Sequence, residues 1–183
     1  MDLSNLEIAT FAGGCFWCTE AIFKRVKGVE KVTSGYSGGD VKNPTYMMVA
    51  TRKTNHAEAV QIEFDPKIIT YEKLLEIFWA THDPTTLNKQ GWDIGSEYRS
   101  AIFYHSDKQK EIAKKSKREH KKYFSDSIVT EVAPIKKFYQ AEEYHQNYYE
   151  NNNNSYCSLV ISPKIQKLLE KFNNEVKDEF KNA

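Results

Sequence analysis

Two cysteines separated by two aromatic residues form the most reactive feature of this chain. Cys15 follows Gly13 and Gly14 directly, and Cys18 completes a Cys-x-x-Cys spacing. Paired glycines permit a tight turn with positive φ, which would deliver Cys15 to the first turn of a helix. Free backbone N–H groups and the positive dipole end at a helix start favour a thiolate over a thiol. The pattern therefore predicts an activated sulfur nucleophile.

Three other interpretations of this spacing remain open. One is a buried structural cysteine. A second is a thioredoxin-like dithiol, which uses the same spacing at a helix start, although the bulky Phe16 and Trp17 between the cysteines suit pocket walls better than a docking turn. The third is a zinc site, which needs four ligands. Beyond Cys157 and scattered histidines the chain offers no second pair at ligand spacing, so we expect no metal and no bound organic cofactor.

Glu58 is a candidate proton donor. It lies on the otherwise apolar face of a strand predicted from His56 to Phe64. Burial raises the pKa of a carboxyl group and makes it a donor near neutral pH. A solvated position at the edge of the sheet is the alternative.

Cys157 is a candidate resolving cysteine, because it follows a run of asparagines in a polar segment that we expect to be mobile. A thiol on a mobile segment can approach a distant sulfenic acid and condense with it to a disulfide. The alternative is a half-buried structural cysteine at the start of a strand.

Periodicity and turn residues predict the elements that must position these side chains. A long irregular segment over 82–97 is predicted to be an ordered, functional loop. Strands and helices intermix without strict β-α-β alternation, which predicts a single α+β domain over residues 1–183, with helices packed on a mainly antiparallel or mixed sheet. The predicted strands are 6–11, 29–36, 56–64, 100–104, 128–133 and 159–161, and the predicted helices are 15–26, 71–80, 107–124, 138–149 and one that opens at 162, with a short turn or helix over 46–49.

Composition limits the cellular compartments and the classes of binding partner that we expect. The net charge of +1 gives no global attraction to nucleic acid or anionic membranes, and we interpret the lysine-rich helix 107–124 as a solvated face. No stretch approaches the roughly 20 apolar residues of a membrane span, and no signal peptide is visible. Three widely spaced cysteines argue against a secreted disulfide framework. We therefore expect a cytoplasmic protein that binds neither nucleic acid nor membrane. We also expect it to be a monomer.

Six motifs in order resemble the methionine sulfoxide reductase A family, which reduces the S-epimer of methionine sulfoxide. The resemblance covers roughly Ile8 to Lys171, and the ordered set is far more specific than any one motif. The motifs are Gly-Cys-Phe-Trp-Cys-Thr-Glu at 14–20, Gly-Tyr-Ser-Gly-Gly at 35–39, Thr-Asn-His-Ala-Glu at 54–58, His-Asp-Pro-Thr-Thr at 82–86, Gln-Gly-Trp-Asp-Ile-Gly-Ser-Glu-Tyr-Arg-Ser at 90–100 and Glu-Tyr-His-Gln at 143–146.

The resemblance implies a fold and a set of roles. The fold is a two-layer α/β sandwich with a ferredoxin-like core. Cys15 is implied to be the nucleophile that attacks the sulfoxide sulfur. Phe16 and Trp17 are implied to form the walls of a pocket for the substrate methyl group, and the activity is repair of oxidised proteins.

The resemblance also implies how the sulfoxide oxygen is handled. Glu58 is implied to donate a proton to it, helped by hydrogen bonds from Tyr46 and Tyr98. Asp93 matches the acidic position that contacts the substrate or supports the pocket. Position 55 is Asn where the family often has Gly, and Asn also tolerates the left-handed conformation such a turn requires.

Recycling of the oxidised nucleophile is left with two candidate residues. The segment around Cys157 lacks the glycine-rich, two-cysteine tail of many family members, so both Cys157 and Cys18 are candidates for resolving the sulfenic acid. We prefer Cys157, because a disulfide across two residues of a regular helix is strained. The resemblance implies thioredoxin or a similar dithiol as the reductant.

Two rival functions predict different behaviour. A thiol–disulfide oxidoreductase that uses Cys15 and Cys18 as its redox pair would reduce model disulfides and leave free methionine sulfoxide unchanged. A binding module that captures apolar side chains against Phe16 and Trp17 would keep its function after alkylation of Cys15.

Overall fold

A computed structural model describes residues 5–181, so the ends of the predicted domain at 1–4 and 182–183 lie outside the described residues. Its main sheet has six strands, and four α-helices of at least nine residues pack with it. With the two strands of a separate hairpin, β4 and β5, the strands are β1 Glu7–Gly13, β2 Val29–Ser37, β3 Ala57–Phe64, β4 Lys89–Gln90, β5 Asp93–Ile94, β6 Ser100–Tyr104, β7 Glu131–Pro134 and β8 Tyr139–Gln140. The helices are α1 Phe16–Lys24, α2 Tyr46–Ala50, α3 Tyr71–Thr81, α4 Asp107–His120, α5 Tyr148–Asn151 and α6 Ser162–Phe172.

The main sheet has the order β7-β6-β1-β3-β2-β8, and β4 and β5 form a separate small hairpin. Strand β3 pairs antiparallel with both β1 and β2, and β1 pairs antiparallel with β6. Only the β6–β7 pairing is parallel among the pairings described. Helix α1 connects β1 to β2 and α3 connects β3 to β6, which gives the split β-α-β arrangement of a ferredoxin-like core. The predicted α+β class and mixed, mainly antiparallel sheet are confirmed.

The main core lies between the sheet and its helices. Phe11 of β1 stacks on Phe78 of α3 with ring centroids 5.0 Å apart, and it also contacts Phe23 of α1 at 5.6 Å. All three side chains are fully buried, so one aromatic cluster joins the central strand to both helices. The opposite face of the sheet carries a smaller cluster, built mainly from alanines with Phe103.

Local capping signals fix the starts of two predicted helices. Thr70 accepts a hydrogen bond from the backbone N–H of Lys73 at the start of α3, and Ser106 accepts one from Gln109 at the start of α4. These bonds satisfy N–H groups that have no partner within the helix. Helix α4 ends at His120 and continues as a short 3₁₀ turn over Lys121–Tyr123, close to the predicted end at 124.

The predicted helix over 138–149 is wrong. Strand β8, a 3₁₀ turn over Glu143–His145 and the short α5 take its place, and Asn147 has a positive φ of 54°. The Gln146 side chain bonds both backbone groups of Ser34, accepting from its N–H at 2.9 Å and donating to its C=O at 3.0 Å. These contacts with β2 hold the chain in a conformation that helical periodicity could not indicate.

The predicted strand over 159–161 is also wrong, and the one over 128–133 begins late. Residues Cys157–Ile161 form a π-helical segment that leads directly into α6. Strand β7 covers Glu131–Pro134, because its parallel pairing with β6 begins at Glu131. The short apolar run before Ser162 has strand-like composition, but it continues the axis of the following helix.

The turn between β1 and α1 brings the backbone against a neighbouring loop. Gly14 has φ of 93°, and a Cβ atom placed on it would lie 2.5 Å from Cγ of Gln90. The Gln90 side chain is held by two hydrogen bonds to the backbone of Asp83, at 3.0 and 2.9 Å. Glycine is therefore required here by conformation and by close approach.

We expect Gly14→Ala to destabilise the protein more than Gly91→Ala. Gly91 has φ of 59° and open space around its Cβ position, so alanine there should lower the free energy of unfolding by about 1–2 kcal/mol through backbone strain alone. At Gly14 the clash with Gln90 should add about 1–3 kcal/mol. Urea unfolding of both variants measures the difference, and equal losses would contradict the close approach.

Candidate active site

Cys15 occupies the N-cap of α1, as the glycine turn predicts. Its φ of −55° and ψ of 125° are not helical, while its C=O already accepts hydrogen bonds from the N–H groups of Cys18 and Thr19 at 3.1 and 3.4 Å. The thiol is buried. Cys15 therefore lies just outside the helix, and helical backbone geometry does not set the direction of its side chain.

Glu58 meets the start of α1 from strand β3. Its Oε2 accepts a hydrogen bond from the backbone N–H of Phe16 at 3.0 Å, and its side chain is 3% exposed. Burial raises the pKa of Glu58 to about 8, with the negative charges of Asp93 and Glu97 adding to the shift and the Phe16 N–H opposing it. At neutral pH Glu58 is therefore a protonated carboxylic acid, and it is bonded to the residue that follows the nucleophile.

The thiol of Cys15 differs from the expectation drawn from the helix start. Burial raises its pKa well above the usual value, and the neighbouring Cys18 thiol and Glu58 carboxylate add to the shift. Hydrogen bonding with Cys15 lowers the pKa of Cys18 to about 7, although burial opposes this. Desolvation outweighs the helix dipole at Cys15, so the resting nucleophile is a thiol and the more acidic partner is Cys18.

Aromatic side chains pack around Phe16 and Trp17, the two residues that follow Cys15. The Trp17 indole stacks on Tyr148 with ring centroids 3.6 Å apart and planes 5° from parallel. The Phe16 ring lies against Tyr36 at 5.7 Å and against His145 at 5.0 Å. Two residues that follow the nucleophile therefore form a rigid apolar wall, supported from β2 and from the 3₁₀ turn at Glu143–His145.

His145 fixes the orientation of this wall. The Trp17 Nε1–H donates to Nδ1 of His145 at 3.1 Å, so Nδ1 is unprotonated and the ring proton is on Nε2. Burial lowers the pKa of His145, which keeps the imidazole in this neutral, accepting form. Nε2 is itself buried and has no partner among residues 5–181.

Tyr46 and Tyr98 lie in the same electrostatic environment as Glu58. Burial raises the pKa of both phenols, and the Glu58 carboxylate is the next largest cause for each. Both therefore remain neutral hydroxyl donors at any physiological pH. Glu142 holds Tyr46 in place by accepting its backbone N–H at 2.8 Å, and it also accepts the Tyr36 hydroxyl at 2.9 Å.

Asp93 is linked to the cysteines through Tyr156. The Tyr156 hydroxyl donates to Oδ2 of Asp93 at 2.7 Å, and it lies 3.8 Å from Sγ of Cys18. Tyr156 also packs edge-on against Trp17, with centroids 5.7 Å apart. Asp93 thus supports one side of the site by orienting a phenol between the thiols and the pocket wall.

Cys157 is buried at the start of the π-helical segment, whereas the sequence predicted a mobile polar segment or a half-buried cysteine at the start of a strand. Its backbone N–H donates to Oδ1 of Asn154 at 3.0 Å. Because it directly follows Tyr156, its Cα lies about 3.8 Å from that of the residue that contacts Cys18. All three cysteines are free thiols and belong to the same apolar core.

Two further properties concern metals and membranes. Within residues 5–181, no group of three or more His, Cys, Asp and Glu side chains is arranged to hold a metal ion. In the same range, no helix combines the length and apolar character needed to cross a bilayer.

Comparison with known proteins identifies the family of this chain. The family described as Peptide methionine sulfoxide reductase matches residues 7–177. This chain is a member of that family. Peptide methionine sulfoxide reductase MsrA of Sulfolobus acidocaldarius is 55% identical over 168 residues, covering 91% of this chain and 96% of the relative.

Solved structures of the family share the fold. Mxr1 from Saccharomyces cerevisiae in reduced form has a TM-score of 0.79 and 37% identity, over 82% of this chain and 88% of Mxr1. The same yeast protein in complex with Trx2 has a TM-score of 0.59 and 31% identity, over 80% and 87% of the two chains. The resemblance seen in the motifs is thus confirmed by the fold.

Several residues of this reductase site carry no assigned role in the sequence analysis. His145, Glu142 and Tyr156 bind site residues across more than 60 positions of sequence. His145 lies in the Glu-Tyr-His-Gln motif, so its presence was signalled but its partner was not. Tyr156 precedes Cys157, and a tyrosine in a polar segment gives no sign that it contacts a carboxylate so distant in sequence.

We expect His145→Phe to loosen the Trp17 wall. The variant removes the acceptor and leaves the indole N–H unpaired at a partly buried position, which costs about 1 kcal/mol. KM for methionine sulfoxide should rise several-fold while kcat changes less, and Trp17 fluorescence should shift to the red. His145→Gln, whose side chain has an oxygen acceptor, should restore part of the loss, whereas equal KM values in all three proteins would contradict this role.

Proposed function

We propose that this chain reduces the S-epimer of methionine sulfoxide to methionine, in peptides and as the free amino acid, and so repairs oxidised proteins. The observation that carries the proposal is the 3.0 Å hydrogen bond between the Phe16 N–H and Glu58 Oε2. It holds a buried, protonated carboxyl group against the start of the helix that carries the nucleophile. Sulfoxide reduction requires this pairing of a thiol and an acid.

In the first step, the sulfur of Cys15 attacks the sulfur of the sulfoxide while Glu58 protonates its oxygen. The oxygen passes to Cys15 as a sulfenic acid and methionine leaves. The substrate sulfur is reduced by two electrons and Cys15 is oxidised by two. The thiol proton of Cys15 balances the hydroxyl proton of the sulfenic acid, so Glu58 ends the step protonated again and no outside proton is consumed.

The other site residues position the sulfoxide for this step. Phe16 and Trp17 provide an apolar surface for the methyl group of the substrate. Neutral phenols at Tyr46 and Tyr98 can donate hydrogen bonds to the oxygen, whose partial negative charge grows as the S–O bond breaks. An apolar wall and a donor cluster on opposite sides of the sulfur would select one sulfoxide epimer.

For the second step we propose Cys18 as the residue that first resolves the sulfenic acid. The non-helical N-cap conformation of Cys15 removes the strain argument that favoured Cys157, and the lowered pKa of Cys18 supplies a thiolate near neutral pH. Condensation forms the Cys15–Cys18 disulfide and releases water. Cys157 then attacks Cys18, which frees the Cys15 thiol and leaves a Cys18–Cys157 disulfide.

A dithiol reductant of the thioredoxin type would clear the final disulfide by exchange. The complex of yeast Mxr1 with Trx2 supports this part of the proposal. We further propose that the chain works as a cytoplasmic monomer, with its activity in one domain over residues 1–183. Three free thiols in the resting structure suit a reducing compartment.

We expect Glu58→Gln to slow the first step about 10²–10³-fold below pH 8. The amide oxygen can still accept the Phe16 N–H, so folding should be intact. Because Glu58 loses its proton as the pH rises through about 8, the ratio of wild-type to variant rates should fall above that pH. Single-turnover kinetics without reductant measures this ratio.

Two controls accompany this measurement. Glu63→Gln lies on the same strand with a partly exposed side chain, and it should leave the rate unchanged. Cys15→Ser should give no sulfoxide reduction at all. A wild-type to Glu58→Gln ratio that is near one, or independent of pH, would remove Glu58 from the mechanism.

We expect one equivalent of methionine sulfoxide to leave the wild-type protein with a Cys18–Cys157 disulfide and a free Cys15 thiol. Cys157→Ser should stop at a Cys15–Cys18 disulfide, since the last exchange partner is missing. Thiol counting with peptide mapping identifies each species. A Cys15–Cys157 bond in the wild type, together with full recycling by Cys18→Ser, would contradict the proposed order.

A further inference from the structure

An exposed tryptophan stands beside the candidate active site. Trp92 is 92% exposed, whereas tryptophan is on average a highly buried residue. It lies at the tip of the β4–β5 hairpin, between Gly91 and Asp93, and Asp93 is the residue that binds Tyr156. One side chain of the tip therefore points to the site while its neighbour faces solvent.

The hairpin holds Trp92 in a fixed place. The Gln90 side chain is bonded twice to the backbone of Asp83 and packs on Gly14, which precedes the nucleophile. The N–H of Gly95 donates to the C=O of Asn88 at 2.9 Å and closes the base of the hairpin. A side chain presented by an ordered segment loses little entropy when it binds a partner.

Other exposed apolar side chains stand next to site residues in the same way. Met47 follows Tyr46 and is 74% exposed, and Tyr144 precedes His145 and is 63% exposed. The Tyr144 ring lies 4.2 Å from that of His145, and the ring of Tyr46, which precedes Met47, lies 4.7 Å from the same imidazole. We call Met47, Trp92 and Tyr144 the apolar rim. Surface patches of this kind commonly mark sites of interaction with other chains.

The chemistry of an oxidised protein matches this rim. Methionine is most often buried among apolar residues, and its oxidation puts a polar group in the core and disrupts the packing. The sulfoxide is then accessible where the surrounding segment has unfolded locally, and the apolar neighbours of the methionine become exposed with it. A polypeptide of this kind offers apolar side chains on both sides of the sulfoxide.

We propose that the apolar rim, with Trp92 as its main contact, binds the residues that flank methionine sulfoxide in a locally unfolded polypeptide. This inference rests on the proposed function and adds a preference within it. The pocket recognises the sulfoxide itself, and the rim recognises the chain on either side. Peptide substrates with apolar flanks are therefore favoured over the isolated amino acid.

The test compares two substrates in single turnovers without reductant. One is N-acetyl methionine sulfoxide, which has no flanking side chains, and the other is an unstructured nonapeptide with methionine sulfoxide between leucine and phenylalanine. Trp92→Ala should lower kcat/KM for the nonapeptide about five- to tenfold, as expected for loss of an aromatic anchor, and should leave the small substrate unchanged. Thermal unfolding confirms that the variant is folded.

A matched aromatic control is Tyr123→Ala, because Tyr123 is also exposed but lies in the 3₁₀ turn after α4. It should change neither substrate. Equal loss on both substrates, or no loss on the nonapeptide, would overturn the proposal. A Trp92→Ala defect confined to steady-state turnover with thioredoxin would overturn it in favour of a reductant surface. Failure of the wild type to reduce either substrate would instead refute the proposed function.

Discussion

The hydrogen bond from the Phe16 N–H to Glu58 joins the two halves of the candidate site. One partner belongs to the first turn of α1 and the other is the second residue of β3. Helix α1 packs directly on β3, so this bond forms only when the helix is packed on the sheet as in the folded protein. Without it, the buried carboxyl group would have no backbone donor, and the nucleophile would have no fixed relation to its acid.

Burial acts on the site in two opposite ways. It raises the pKa of Glu58 toward neutrality, which turns an ordinary carboxylate into a usable acid. It also raises the pKa of Cys15, which suppresses the thiolate that a helix start would otherwise favour. Both groups are therefore protonated before the substrate arrives. The resting enzyme holds the nucleophile and its acid in neutral forms, and charge develops on this pair only when a sulfoxide is present to receive the proton.

Sequence reasoning succeeded where the signal was local. Thr70 and Ser106 mark helix starts, and the glycine turn correctly predicts where Cys15 lies. It failed where distant side chains decide the backbone, as at 138–149, where Gln146 bonds to Ser34 across more than 100 positions. The roles of His145 and Tyr156 were missed for the same reason. Their bonds to Trp17 and Asp93 produce no periodic pattern in the sequence around them. The burial that raises the pKa of Cys15 comes from the whole fold, so it too escapes a local pattern.

All three thiols lie inside the protein, and this has a consequence for the chemistry of the cell. A dissolved oxidant or a stray disulfide meets a surface with almost no accessible thiol, since these are the three cysteines of the chain. Burial also raises the pKa of the Cys15 thiol, and a protonated thiol reacts slowly with such agents. The thiols of this reductase are therefore shielded from the oxidants whose damage its family is named for removing.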